Sequence, residues 1–220
     1  MNILSSLDAV LPTYEALLPF SKEKVVFTPF KVKDAKGLAI VLQEDNKKLA
    51  LNAMVELLKN NSKNCNILNL CLADAEYLFL QIRSKSVDEQ LNLVYNNQKH
   101  QVYIPSILSK NNIVSETISV SNNFYITLET PKIKDLLKLD SLDKESLIRS
   151  CIKKVTLNGE IFHVNKFVND EVKTVLDNLP LNFLNKFEDF LTKQPELTVT
   201  LKNETDEKEV SGLLTFFTFR

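Results

Sequence analysis

The sequence holds no tryptophan, 3 glycines, 2 histidines and 3 cysteines in 220 residues. So few glycines leave little material for a loop that cradles phosphate, and neither G-x-G-x-x-G nor G-x-x-x-x-G-K-[ST] occurs. G-x-S-x-G and H-E-x-x-H are missing too. Cys65, Cys71 and Cys151 are odd in number and form no C-x-x-C pair, which points to reduced thiols rather than a disulfide framework or a zinc site. His100 and His163 each fall in or beside an expected hairpin. His163 has no Asp or Glu spaced as a ligand or triad partner, so both read as strand or surface histidines rather than general bases. The neighbouring carboxylates Glu44 and Asp45, like Glu188 and Asp189, diverge on a helix and read as solvated charges. No catalytic, cofactor-binding or metal-binding residue is assigned.

An excess of charge of either sign is also lacking. Lys+Arg 27 against Asp+Glu 28 gives a net charge of -1, so no field draws the chain to nucleic acid or to an anionic membrane. Lys22-Glu23-Lys24 and Lys153-Lys154 are short and carry no interleaved aromatic rings for base stacking. No apolar run approaches the roughly 18 to 20 residues of a membrane-spanning helix. The start, Met1 to Leu18, bears Asp8, Pro12 and Glu15 and lacks the basic opening of a secretory signal. The expectation is a soluble, intracellular chain with no cofactor. Hydrophobic residues at 44% suffice for a sizeable core in one large domain or two small ones.

What is present is organised around Asp74 to Ser86. Ala75, Leu78, Phe79 and Ile82 fall at i, i+3, i+4, i+7, one stripe of a helix that Leu72 extends. Tyr77 and Leu80 lie roughly opposite, which leaves Asp74, Gln81 and Lys85 as the wet strip. A helix apolar on two sides is sandwiched between layers. Glu76 and Arg83, at the stripe's edge, each need a partner elsewhere.

Before that helix, Tyr14 to Leu18 and Val25 to Thr28 predict a hairpin, with Pro29 closing the second strand. A helix through Ala35, Leu38, Ala39 and Leu42 follows, with Gly37 explained by close packing. The next helix, about Lys47 to Lys59, is apolar through Leu49, Ala53, Val55, Leu57 and Leu58 and wet at Asn52, Glu56 and Lys59. Asn60 to Asn64 ends it, and the whole segment is expected to be heavily buried.

After the central helix the period becomes two. Leu91, Leu93 and Tyr95 pair with Val102 and Ile104 around Asn96 to Lys99. Ile118 and Val120 lead into Ser121-Asn122-Asn123, and Phe124, Ile126 and Leu128 lead out, with a loop at Ser109 to Asn112. Helices are expected at Ile133 to Lys138, after a cap at Asp140 or Ser141, and at Glu171 to Leu176. Asn158-Gly159 predicts a two-residue hairpin with Val155 opposite Phe162 and Thr156 opposite Ile161. Pro180 opens a helix with Phe183, Leu184, Phe187, Phe190 and Leu191 on one face, and Pro195 stops it. Leu197, Val199 and Leu201 then alternate in a half-buried strand. After a turn at Asn203 to Lys208 comes a strand from Val210 to Phe219, apolar on both faces through Leu213, Leu214, Phe216, Phe217 and Phe219. It is covered either as a central strand of the chain's own sheet or by a partner or second copy.

The fold class is α+β, with an N-terminal β-hairpin packed with helices, central β-hairpins, and C-terminal helices and antiparallel strands. Three segments are read: 1–89, a hairpin-plus-helices unit; 90–130, a β-hairpin segment; and 131–220, an α+β unit. They are read as one compact chain rather than independent domains.

Leu11-Pro12-Thr13-Tyr14, Pro19-Phe20, Val26 to Lys33 and Glu76-Tyr77-Leu78-Phe79-Leu80-Gln81-Ile82-Arg83-Ser84-Lys85-Ser86 together resemble the T4-like bacteriophage baseplate hub (tail assembly) family. Its members carry a similar "LPTYE…P…RPFLVKEE" block and a "D-x-E-Y-L-F-x-x-x-R-x-K-S" block at comparable spacing. Phe187 to Pro195 and Ser211 to Phe217 extend the likeness. Thr28 stands where Arg is common, and Asp34-Ala35-Lys36 replaces an acidic helix start. Asn96, Asn97 and Gln98 carry over no metal ligand.

The resemblance implies a non-enzymatic part in building the baseplate hub of a contractile tail, as a hub component or an assembly chaperone. Its partners would be other phage baseplate or tail proteins, with no nucleic acid and no membrane. The place would be the host cytoplasm during assembly and the virion tail. Candidate partner contacts are Tyr77, Leu80 and Arg83 on the second face of the central helix, with Leu214 and Phe216 at the C-terminus. The alternative is a nucleic-acid- or peptide-binding module using the β-hairpins, which steep salt dependence on single-stranded DNA would reveal. A cell-wall hydrolase is a third reading, without a paired acid/base signature to support it.

Overall fold

Alternation around a turn builds the first strands. β1 (Tyr14–Leu17) and β2 (Lys24–Phe27) pair antiparallel, with Tyr14 opposite Phe27 and Leu17 opposite Lys24. The computed structural model describes residues 11–41, 43–44, 46–95, 98–164, 169–180, 182–202, 207–211 and 215–216. After the hairpin come α1 (Val32–Val41), α2 (Lys47–Asn61), β3 (Ser62–Lys63) and α3 (Leu72–Ser86). Then follow β4 (Gln90–Tyr95), β5 (Gln98–Tyr103), β6 (Leu108–Lys110), β7 (Ser115–Ser121) and β8 (Phe124–Glu129). The last part runs α4 (Ile133–Leu136), α5 (Lys144–Cys151), β9 (Ile152–Leu157), β10 (Glu160–His163), α6 (Asn169–Asp177), α7 (Asn182–Thr192), β11 (Glu196–Lys202) and β12 (Glu207–Ser211). The fold is α+β, and its sheets are antiparallel.

The described residues divide into two units, one within 1–110 and 196–220, the other within 111–195. In the first, the sheets are β1-β2-β3, β12-β11-β6 and β4-β5. In the second, one sheet runs β10-β9-β8-β7. Strand β8 pairs with β9 and so joins segments that a boundary at residue 130 would separate. Likewise β6 pairs with β11, Glu196 lying opposite Lys110, which draws the C-terminal strands into the first unit.

In the first unit α3 is the core. Leu78, Phe79, Leu80 and Ile82 are all buried, each contributing about 1.5 to 3 kcal/mol relative to exposure. Helix α2 begins at Asn46, whose side chain accepts from Lys48 and Leu49 N–H groups, the usual work of an N-cap. It buries Leu51, Met54, Val55, Leu57 and Leu58 and leaves Asn52, Glu56 and Lys59 wet. Two expectations fail nearby. Helix α1 buries Leu38 while Ala39 is exposed, so it lies on the surface rather than inside. A Cβ at Gly37 would meet no other part of the chain within 4 Å, so close packing does not account for the glycine.

In the second unit, Ile118, Ile126, Leu128, Ile152 and Val155 of the sheet meet Phe183, Phe187 and Phe190 of α7. The β9–β10 register is the expected one, Phe162 opposite Val155 and Ile161 opposite Thr156. The turn works because Asn158 and Gly159 adopt φ of 52° and 85°, the left-handed pair that a two-residue hairpin demands. Leu184, expected on the same face as the phenylalanines, is 42% exposed. The cap of α5 is Asp143, which accepts from the Ser146 N–H at 2.8 Å, rather than Asp140 or Ser141.

The final strand also differs. β12 starts at Glu207, inside the expected turn, and it is an edge strand with Glu207, Lys208 and Glu209 exposed. Thr215 and Phe216 lie in a turn. Leu213, Leu214, Phe217 and Phe219 lie outside the described residues.

Candidate functional site

The two blocks that carry the family likeness meet in space. At the start of α3 the Asp74 carboxylate, 1% exposed, accepts from the backbone N–H groups of Phe20 and Ser21 at 2.9 and 2.8 Å. This corrects its assignment to the wet strip. The carboxylate is buried because it closes the β1–β2 turn, supplying acceptors that water would otherwise provide. At the other end of α3, Ser86 Oγ accepts from the Phe30 N–H at 2.7 Å and donates to the Ile82 carbonyl at 2.6 Å. Between these ends the Phe30 and Phe79 rings lie 5.6 Å apart, Tyr14 and Phe27 stack at 5.8 Å, and Lys85 Nζ sits 5.9 Å from the Tyr14 ring. Tyr14, Phe30, Asp74, Phe79, Lys85 and Ser86 are therefore one set of contacts. These contacts give the shared motif a structural use.

Arg83 is 2% exposed and donates through Nη1 to the carbonyls of Asp88 and Gln90 at 3.1 and 2.7 Å. Burial pushes its guanidinium pKa down, and Asp88 opposes the shift. A cation in the last turn of α3 also meets the negative end of the helix dipole. Its donors hold the start of β4.

The expected partner contacts need correction on these grounds. Leu80, Arg83 and Phe216 are 1%, 2% and 0% exposed and serve the chain's own interior, so they offer no surface to a partner. Tyr77 is half-buried, and Leu214 lies outside the described residues. The structure places Tyr77, Leu80 and Arg83 on α3.

Burial also governs the three thiols. Burial, then Glu23, pushes Cys65 up to about 11; burial, then Asp74, pushes Cys71 up to about 12; burial pushes Cys151 up to about 11. A thiol so shifted stays protonated and is a poor nucleophile. His100 lies on β5, and exposed His163 on β10. Among the described residues no cluster of His, Cys, Asp and Glu could hold a metal ion. Among the same residues no helix is long and apolar enough to cross a membrane.

One concave surface stands out in the second unit. It is a groove of about 500 Å³ between α5, α7 and the end of α6, floored by Ile148, Leu176, Leu179, Phe183, Leu184 and Phe187. Its rim is charged: Lys144, Glu145, Asp177 and Glu188. Lys144 Nζ pairs with Glu188 at 2.5 Å. Among the described residues no cation pairs with Glu145 or Asp177. The sequence carried one signal of this groove. Leu184 is one step off the line through Phe183, Phe187 and Phe190, so those three can be buried while it looks outward.

The motif side chains Asp74, Arg83 and Ser86 thus position the chain's own backbone, and the second unit carries an apolar groove with a charged rim. Residues 11–218 match the family model of the T4 bacteriophage base plate protein. The chain belongs to that family and so stands among bacteriophage base-plate proteins. No curated protein and no solved structure matches it.

Proposed function

We propose that this base-plate protein is non-enzymatic and takes part in building the hub of the base plate, as a hub component or an assembly chaperone. It acts by fitting against other base-plate or tail proteins, in the host cytoplasm during assembly and then in the tail if it is retained. The observation that carries this reading is the use made of the family's motif residues. Asp74, Arg83 and Ser86 bond to backbone partners within the chain, and burial raises the pKa of all three thiols.

The test is a phage lacking this protein, complemented by a tagged copy. Loss of complete base plates, with rescue by the tagged copy, is the expected result. Tagged protein in purified tails identifies a component; tagged protein in hub intermediates but not in tails identifies a chaperone. Normal base plates without the protein would overturn the reading.

A further inference from the structure

We propose that the groove between α5, α6 and α7 receives an amphipathic helix of another base-plate protein, its apolar stripe on Leu176, Leu179 and Leu184 and its Lys or Arg side chains over Glu145 and Asp177. This rests on the reading that the protein works by docking. The groove's volume, about 500 Å³, takes a few bulky side chains. Its walls are helices, a surface into which a helix lays i, i+3 and i+4 anchors. Leu184 is exposed at 42% and Leu176 and Leu179 are half-buried, while Phe183 and Phe187 are buried beneath them, so the apolar surface open to solvent is these three leucines.

Charge selects the sign of the occupant. The rim holds three carboxylates and one ammonium, and that ammonium is committed to Glu188. Asp177 is the last residue of α6, so its carboxylate sits at the negative end of the helix dipole. A cation brought there by a partner relieves that repulsion. An acidic or neutral helix does not.

The experiment uses the full chain and two fluorescent model peptides. One is helical with leucines at i, i+4 and i+7 flanked by lysines; its twin has glutamates in place of the lysines. At low salt the lysine peptide is expected to bind about tenfold more tightly, and the preference should shrink as salt is raised. Leu184→Lys should abolish binding. Glu145→Lys with Asp177→Lys should reverse the preference. All variants should retain the wild-type circular dichroism, because Glu145 and Asp177 lie at the exposed rim and Leu184 is itself open to solvent. Equal affinity for the twins, no binding of either, or a preference that survives Leu184→Lys would overturn the proposal. So would sedimentation showing that the groove is filled by a second copy of the chain. None of these results touches base-plate incorporation, which the tagged phage reads separately.

Discussion

The interiors of the two units are built from different materials. In the first, α3 carries Asp74, Glu76 and Arg83, every charged residue that is buried among the described residues. In the second, the buried polar groups are Thr127 and Ser146, and the core is sheet aliphatics against three phenylalanines. A buried charge has to be satisfied from all sides, so it tolerates few arrangements of its neighbours. Asp74 and Arg83 thus fix where the β1–β2 turn and the start of β4 lie. A hydrocarbon core specifies less and can stop short of closing over itself. The groove beside α7 is such a place.

The sharpest break of this comparison is Phe187→Ala. The side chain is 1% exposed in the middle of the second core, and its loss should cost about 3 to 5 kcal/mol, from lost transfer energy and the cavity left behind. Faster hydrogen exchange in α7, β8 and β9 is the readout. A cost under about 1 kcal/mol would mean that this core is loosely packed and collapses around the gap.

Asp74→Ala comes next, at about 2 to 4 kcal/mol. Two charge-assisted bonds disappear and the Phe20 and Ser21 N–H groups lose their acceptors. Asp74→Asn keeps one acceptor oxygen and should recover part of the loss. Urea unfolding of the three proteins measures it. If alanine is tolerated as well as asparagine, the carboxylate does not hold the turn and the contrast between the interiors fails.

Local signals account for what could be read in advance. The Asn158-Gly159 turn, the α7 phenylalanine spacing and the extent of α3 each depend on residues a few positions apart. Periodicity puts Asp74 on the wet strip because it reports the direction of a side chain, not the arrival of backbone donors from a turn 54 positions away. The apolarity of Leu80 and Phe216 does not say whose surface covers them, and the structure buries both within the chain. The pairing of β6 with β11 is likewise set by contacts distant in the chain, and so the loop expected at Ser109 is a strand. The groove needed three helices brought together. Leu184 hinted at it, but only the assembled helices make it concave.

The smallest effect asks whether the second unit uses charge at all. Asp135 of α4 accepts from Lys153 of β9 at 2.9 Å and from the Lys132 N–H at 3.2 Å. Burial raises the carboxyl's pKa, but the hydrogen bond and charge of Lys153 with the Lys132 N–H outweigh it, so the value falls below the ordinary carboxylate range. A carboxylate whose pKa is lower in the folded chain than in the unfolded one adds stability above the unfolded value, near pH 3.8. That contribution fades as the pH drops through the lowered value. Asp135→Asn should therefore cost below about 1 kcal/mol at neutral pH, where a partly exposed pair is weak. Other carboxylates titrate over the same range, so the quantity to follow is the difference in urea midpoint between wild type and variant. It should shrink towards zero as the solution is acidified below the ordinary carboxylate range. A difference that persists unchanged in acid would show that Asp135 acts there through shape rather than charge, leaving the second unit's stability without a contribution from this ion pair.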